Sequence, residues 1–327
     1  MAASETVGKE RVDVARRNGR RRVGILIAAC AAVLAAAFLA PARFPNSFGL
    51  AMPFEAALPW LGVLVALLLI AALARRAWLG ILVSLVAVAA WSWVFVPRIL
   101  PLEPVAMVGN TDTVSVLSQN VRVSAGDTAG ARATAEKLRG EGADLLALQE
   151  IAPEQRETVA VTLRETYPYE AHASTVGLWS RYPILTSEPL DLGLGWDRAL
   201  RATIATPGGD TEVYVVHAAS ARIDGHAPRD EMLAELADEI RNDGSPRIIA
   251  AGDFNASSDD RSFVPLRELL AEPRQGAGGF GFSWPAQFPV VRLDHILLRG
   301  FDAREMTTTP IGDSDHLAVS AVLRPSA

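Results

Sequence analysis

The chain has 327 residues, half of them hydrophobic, with 31 Lys/Arg against 37 Asp/Glu and one cysteine. That length leaves room for an apolar region beside a globular domain of roughly 200 residues. The lone Cys30 excludes an intrachain disulfide or a thiolate metal site, and from Thr113 onward 20 Lys/Arg stand against 31 Asp/Glu, a net of −11 that weighs against binding driven by counterion release from nucleic acid.

Residues 1–22 form a basic tail, seven Lys/Arg against three Asp/Glu. Three charge-free apolar runs follow at about 23–40, 58–74 and 77–96, each near the length that crosses a hydrocarbon core as a helix. Arg75 and Arg76 separate the last two, and Trp60, Trp78, Trp91 and Trp93 lie near run ends, where aromatic rings favour the membrane interface. The basic tail and the Arg75-Arg76 turn are expected inside, by the distribution of positive charge. Three crossings then put everything after Pro97 outside the cytoplasm. A cleaved signal peptide is the alternative for the first run, but Phe38-Leu39-Ala40-Pro41 is a poor cleavage site. Residues 97–112, with Pro97, Pro101, Pro104, Gly109 and Asn110, read as an extended linker that cannot continue the helix.

The domain expected over 113–327 opens with a strand-like stretch at 114–121, then a helix at 129–140 and a buried strand at 144–148. A helix at 153–166 starts on a proline. Strand candidates follow at 177–180, 199–205 and 212–217. The 228–242 stretch is the clearest amphipathic helix, with Met232, Leu233, Leu236 and Ile240 at helical spacing. Strands at 247–251, 292–298 and 316–323 complete the set. Their irregular alternation with helices favours mixed sheets covered by helices.

Polar residues gather where these strands end: Asn120, Glu150, His217, Asp253, Asn255, Asp294, Asp315 and His316. Strand ends are where side chains from distant parts of an α/β chain converge. Each position has a plain structural reading as well: Gly252-Asp253-Phe254-Asn255 as a turn, Glu150 as a helix-capping acid, Asp294-His295 as a core pair, Ser314-Asp315-His316 as a loop.

The segments Ser118-Gln119-Asn120-Val121, Leu148-Gln149-Glu150, Ser180-Arg181-Tyr182-Pro183-Ile184, Val215-Val216-His217, Gly252-Asp253-Phe254-Asn255, Arg292-Leu293-Asp294-His295-Ile296 and Ser314-Asp315-His316 run in the order of a known family. The domain resembles the endonuclease/exonuclease/phosphatase superfamily, metal-dependent phosphoesterases that include DNase I-like nucleases, sphingomyelinases and inositol polyphosphate phosphatases. With three spans in front, it is most similar to the membrane-anchored VanJ-type teicoplanin-resistance proteins of actinomycetes. The resemblance implies a four-layer α/β sandwich of two mixed sheets flanked by helices. It implies Mg²⁺, with Mn²⁺ as the alternative, on Glu150, Asn120 and Asp315. Asp253 would orient or deprotonate the attacking water and Asn255 would position it. His316 would contact the phosphate with Asp294 holding its ring, and His217 would protonate the leaving oxygen or stabilise the transition state. Whether Asp253 or the Asp294–His316 pair is the base stays open. Arg181, Arg201 and Trp284 are candidate substrate contacts, with structural roles as the alternative for Arg201 and Trp284.

Three functions compete. One is a phosphoesterase or pyrophosphatase acting on a lipid-linked or small phosphorylated substrate at the bilayer. Another is an exported nuclease, which the acidic composition does not favour. The last is a catalytically inactive binding module on a membrane anchor.

Overall fold

The computed structural model describes residues 2–46, 49–101, 112–123 and 126–326. Two compact units emerge, residues 1–47 with 53–98, and residues 48–52 with 99–327.

The first unit is helical: α1 (Ala2–Leu39), most of α2 (Ala51–Ala57), α3 (Leu61–Arg75) and α4 (Trp78–Ile99). Arg21–Leu39 and Trp78–Ile99 are each long and apolar enough to cross a membrane, with mean hydropathy 2.3. The middle run expected at 58–74 is different. Its helix α3 has only 15 residues and meets α2 at a 69° bend, so it makes a third span only as a bent pair. Pro59 lies in the break, where its missing N–H removes a helix hydrogen bond. Packing in this unit turns small residues inward, with Ala31, Ala37, Ala72, Ala87 and Ser84 buried, while Leu67, Ile70, Leu82 and Trp93 are exposed. Small residues let helix backbones approach closely where lipid gives no hydrophobic drive between helices. A Cβ at Gly62 would overlap the Trp91 ring, whose Nε1 donates to the Pro59 carbonyl at 3.0 Å.

Contrary to the sequence expectation, Pro97 does not end the last helix, which runs on to Ile99. So near the C-terminus the missing N–H disturbs only the final turn. Most of the expected linker, including Pro104, Gly109 and Asn110, lies outside the described residues.

The strands of the second unit are β1 (Val114–Val123), β2 (Leu145–Ile151), β3 (Tyr169–Ala173), β4 (Val176–Ser180), β5 (Ile184–Leu190), β6 (Ala199–Thr206), β7 (Gly209–His217), β8 (Ile248–Asp253), β9 (Asp294–Arg299), β10 (Phe301–Thr309) and β11 (Ala318–Pro325). They form a six-stranded sheet ordered β10-β11-β1-β2-β4-β3 and a five-stranded sheet ordered β5-β6-β7-β8-β9. Both are mixed: β1–β2 and β7–β8 are parallel, and the other pairings are antiparallel. The parallel pairs are bridged by helices α5 (Thr128–Glu141) and α7 (Ala227–Asn242), as parallel connections require.

Side-chain alternation sorts each strand into two faces. Val116, Leu145, Ala147, Leu200, Ala202, Val215, Ala251, Ile296 and Val319 share one core between the sheets. Leu117, Leu146 and Leu148 instead pack outward with Ala131, Ala135 and Leu138 of α5 and Val159 and Leu163 of α6 (Arg156–Leu163). On the other sheet Tyr214, Val216, Ala250 and Leu297 pack with Met232, Leu233, Leu236 and Ile240 of α7, and with Leu266 of α8 (Val264–Leu269). The result is helix, sheet, sheet, helix. Strands β3, β5 and β10 were not legible in the sequence. Strand β5 is an exposed edge carrying Glu188 and Pro189, so it lacks the apolar alternation that marks a half-buried strand.

Candidate active site

Register carries three distant residues side by side. His217 pairs with Asp253 across β7–β8, and Asp253 with Asp294 across β8–β9. Asp253 continues the inward row of Ile249 and Ala251, and Asp294 that of Ile296 and Leu298, so both carboxylates point between the sheets. Asn120 continues the inward row of Val114 and Val116 on the facing sheet. Close approach of the strands here requires Gly252, at φ 155°, where a Cβ would overlap the Val216 carbonyl oxygen.

Glu150 arrives by a different route. Simple alternation would send it outward with Leu146 and Leu148. A register shift between Asn120 and Val123, with left-handed φ of 46° at Arg122 and 58° at Glu150, breaks that alternation. Asn120 Nδ2 then donates to Glu150 Oε1 at 3.0 Å and to Asp253 Oδ2 at 3.1 Å. Asn255, at φ 48°, donates its backbone N–H to Asp253 Oδ1 at 2.9 Å and its amide to the Ala218 carbonyl at 3.0 Å.

His316 precedes β11. Its Nδ1 lies 2.9 Å from Asp294 Oδ2 and its Nε2 3.8 Å from Asp253 Oδ2. The loop is fixed by Ser314, whose hydroxyl donates to the Asn120 carbonyl at 2.6 Å and accepts the His316 N–H at 3.0 Å. Burial opposes a charge on His316, but the Asp294 hydrogen bond and the carboxylates of Asp294, Asp253 and Asp315 raise its pKa to about 9. Burial, with Asp294 beside it, pushes Asp253 up to about 7 against the pull of His316, Asn255 and Asn120. His217 goes the other way: burial, then Arg198 and His316, lower it to about 3. It is therefore a neutral imidazole at physiological pH, 3.5 Å from Glu150 Oε1.

The arginines expected at the substrate are elsewhere. Arg181 follows Ser180, which pairs with Leu145 at the start of β2, about five residues or roughly 17 Å along the strand from Glu150. There it pairs with Asp144 at 3.3 Å and lies over the Tyr167 ring. Arg201 stands on the helix-covered face, alternating with inward Leu200 and Ala202, and is held by Glu212 at 3.1 Å, Asp243 at 3.3 Å and Glu188 at 3.5 Å. Arg198 is the arginine the site contains. Its NH2 is 2.8 Å from both His217 ring nitrogens, and Asp253 and Glu150 act on its charge. The available signal was parity, since Arg198 shares its side of the strand with Leu200 and Ala202, and Arg201 does not.

One other expectation is revised by geometry. Asp315 directs its carboxylate to Arg122 at 3.1 Å, at the partly exposed rim. His295 fits the core reading: it has the opposite parity to Asp294 and is fully buried behind it, with Nδ1 2.7 Å from Glu272 and Nε2 2.9 Å from the Ala256 carbonyl. Trp284 stands at the rim: its loop is bonded to the chain on both sides of His316, Ala286 N–H to the Asp315 carbonyl at 2.7 Å and Leu317 N–H to that of Ser283 at 2.8 Å.

The donor set fits a hard divalent cation. Asn120 Oδ1 and Asp294 Oδ1 are buried oxygens with no hydrogen-bond partner, and such groups are costly unless something satisfies them. Ligand atoms of Asp253, Asp294 and His316 lie within 4.8 Å of one another, and the Glu150 carboxylate, 39% exposed, adjoins them through Asn120. Carboxylate and amide oxygens at a partly open site suit Mg²⁺ or Mn²⁺.

Comparison with known proteins agrees with this architecture. The profile of the Endonuclease/Exonuclease/phosphatase family matches residues 117–316. Uncharacterized protein YbhP of Escherichia coli K12 is 30% identical over 166 residues, covering 48% of this chain and 63% of that protein. This chain thus matches less than two thirds of its relative's length. Among solved structures, an endonuclease/exonuclease/phosphatase from Bacteroides vulgatus superposes with TM-score 0.56 at 15% identity, covering 65% of this chain and 99% of that one. TDP2 of D. rerio, complexed with single-strand DNA product, gives TM-score 0.54 at 19% identity over 65% and 99%. Beta toxin from Staphylococcus aureus gives 0.52 at 15% identity over 64% and 99%. The chain belongs to the Endonuclease/Exonuclease/phosphatase family. That family comprises hydrolases of phosphoester bonds and is generally dependent on a divalent metal.

Proposed function

We propose that this protein is a membrane-anchored, Mg²⁺-dependent phosphoesterase that acts outside the cytoplasm on a lipid-linked or small phosphorylated substrate. The observation that carries the hydrolytic part is the juxtaposition of Asp253 with a cationic His316 at 3.8 Å, beside Asn120 and Glu150.

Charge supports Asp253 as the base. With its pKa raised to about 9, His316 is already protonated and cannot take a proton from water. Asp253, lifted to about 7, can, and a base poised near the working pH is the efficient one. In this reading Asp253 accepts the proton of a water that attacks phosphorus, while the Asn255 N–H holds its other oxygen in place. The phosphorus–oxygen bond to the leaving group then breaks. His316 and Arg198 bind the phosphoryl oxygens where negative charge grows, and Asp294 keeps the His316 ring oriented and charged. His217 braces Glu150 and shares the Arg198 guanidinium. Glu150 and Asn120, with the free Asp294 oxygen nearby, would hold the cation. A bound divalent cation supplies Lewis-acid polarisation of the phosphoryl group and offsets charge on the leaving oxygen.

Support for the membrane part comes from the two apolar helices, the basic tail before the first and Arg75-Arg76 before the last. In this reading the bent pair makes a third crossing and the domain would then lie outside, an arrangement of three spans on which the resemblance to VanJ-type proteins also rests. Tethering at the bilayer raises the effective concentration of a lipid-linked substrate.

The test uses the full-length chain in detergent with Mg²⁺ or EDTA, beside Glu150→Ala. Its panel holds a prenyl pyrophosphate, a phospholipid, bis-p-nitrophenyl phosphate and plasmid DNA. Turnover of the lipid substrate, lost by about 10²-fold or more in EDTA and in the variant, is expected. DNA cleavage in place of lipid turnover overturns the substrate, and activity that survives both EDTA and Glu150→Ala overturns the metal role.

A further inference from the structure

The exposed apolar residues of the second unit are unevenly placed. Four large ones stand in loops: Trp196, Ile223, Trp284 and Phe288, exposed by 48%, 50%, 37% and 70%. Their three loops lie at the end of the sandwich that holds the site. Trp196 precedes β6, whose first residue pairs with Val216, Ile223 follows β7 beyond His217, and Trp284 and Phe288 precede β9 at Asp294. Leu50 and Leu100, exposed by 55% and 50%, adjoin the apolar helices in sequence, and Val161, Tyr169, Leu185 and Val264 are scattered on helices and strands.

Composition singles out the same region independently. Residues 275–291 contain no charged side chain, although 51 of the residues from Thr113 onward are charged. This stretch contains Phe280 and Phe282, stacked at 5.2 Å, and then Trp284 and Phe288. Its tip is a tight excursion, closed by the Val290 and Val291 N–H groups on the Trp284 carbonyl at 2.9 and 3.1 Å. Within this unit the stretch is tied to the point where the chain arrives from the apolar helices: Gly279 N–H donates to the Ile99 carbonyl at 2.9 Å. Likewise Gly49, from the loop after α1, abuts the Ile223 carbonyl.

We propose that the charge-free segment 275–291, with Trp196 and Ile223 at the same end of the sandwich, rests in the interface of the bilayer occupied by the chain's own apolar helices, so that the site opens onto lipid headgroups. This rests on the membrane-anchored reading above. Aromatic rings favour that depth, with an apolar body in the acyl boundary and polar neighbours in water. An acidic domain gains nothing electrostatically from an anionic lipid surface, so an uncharged aromatic contact is the means it has of settling there. Between Arg98 and Val114 the chain reaches at most roughly 55 Å even when fully extended, which keeps the domain within reach of that surface.

The test uses the full-length chain carrying Cys30→Ser, reconstituted in phosphatidylcholine nanodiscs with lipid-borne quenchers. An environment-sensitive fluorophore is attached in turn to Phe288→Cys, to Asp210→Cys at the opposite end of the sandwich, and to Val86→Cys within α4. Quenching at 288 about fivefold stronger than at 210, together with a blue-shifted emission, is the expected result. A label at 288 that behaves as at 210 while 86 is quenched overturns the docking and leaves the anchor standing. Absence of quenching at 86 overturns the anchor and the docking with it, and neither result bears on hydrolysis. Shielding at 288 without lipid quenching, as a second copy or another protein would give, also overturns the proposal. As a functional counterpart, Phe288→Ser should slow turnover of a vesicle-borne phospholipid by about tenfold while leaving bis-p-nitrophenyl phosphate turnover within about twofold.

Discussion

At the end of the sandwich where β8 and β9 face β1 and β2, Asp253 and Asp294 crowd His316, and Asn120 Oδ1 and Asp294 Oδ1 have no hydrogen-bond partner. Away from that end the same residue types are closed into pairs. Asp144 accepts the Ser115 N–H at 2.9 Å and hydroxyl at 2.7 Å and meets Arg181, and Arg201 is ringed by Glu188, Glu212 and Asp243. Closed pairs fix structure, whereas crowded and half-satisfied ones leave capacity for a ligand and shift proton affinities. Three of the five non-glycine residues with left-handed φ described in this unit, Arg122, Glu150 and Asn255, stand beside the site; the others, Ser174 and Leu192, lie in connections between strands.

The largest expected effect comes from removing one charge at the crowded end. Asp253→Asn should lower turnover by about 10³-fold without lowering stability in EDTA. The sign follows from linkage: a carboxyl whose folded pKa, about 7, exceeds its ordinary value disfavours its own ionised form. The burden grows as pH rises from the ordinary carboxyl value towards about 7 and is complete above it, and the amide removes it. A thermal midpoint clearly below wild type would mean that Asp253 is a structural acid.

The next contrast sets two arginines three residues apart against each other. Arg198→Ala should cost about 10²-fold in activity by deleting a donor at the developing charge. Arg201→Ala should leave activity within about twofold, yet cost roughly 1–2 kcal/mol of stability after allowance for its partial exposure. Equal activity losses in the two variants would erase the distinction between the two faces of β6.

The smallest effect is a pH dependence. His316 has a folded pKa of about 9, above its ordinary 6.5. Its stabilising contribution is complete below the lower value and drains as pH rises through the higher one. Thermal unfolding of the EDTA-treated chain, followed by tryptophan fluorescence, should show stability falling between about pH 7 and pH 9. Asp294→Asn should flatten that slope, because it removes the carboxylate charge 2.9 Å from the His316 ring. An unchanged slope would assign the titration elsewhere.

By itself, the sequence determined what can be read within one segment. The apolar runs and their flanking arginines are local facts of composition, and the ordered polar residues at strand ends identify an inventory of chemistry. Both survive any rearrangement of the chain that keeps the strands. Tertiary structure decided which side each residue faces and what charge it carries. A strand's parity sends Arg198 and Asp294 inward but Arg201 and His295 outward, and a register shift with left-handed Arg122 and Glu150 returns Glu150 to the site. Burial and non-local neighbours then lower the proton affinity of His217 and raise that of His316, though both stand at strand ends. Register, burial and charge coupling are properties of pairs far apart in sequence, so no local pattern records them.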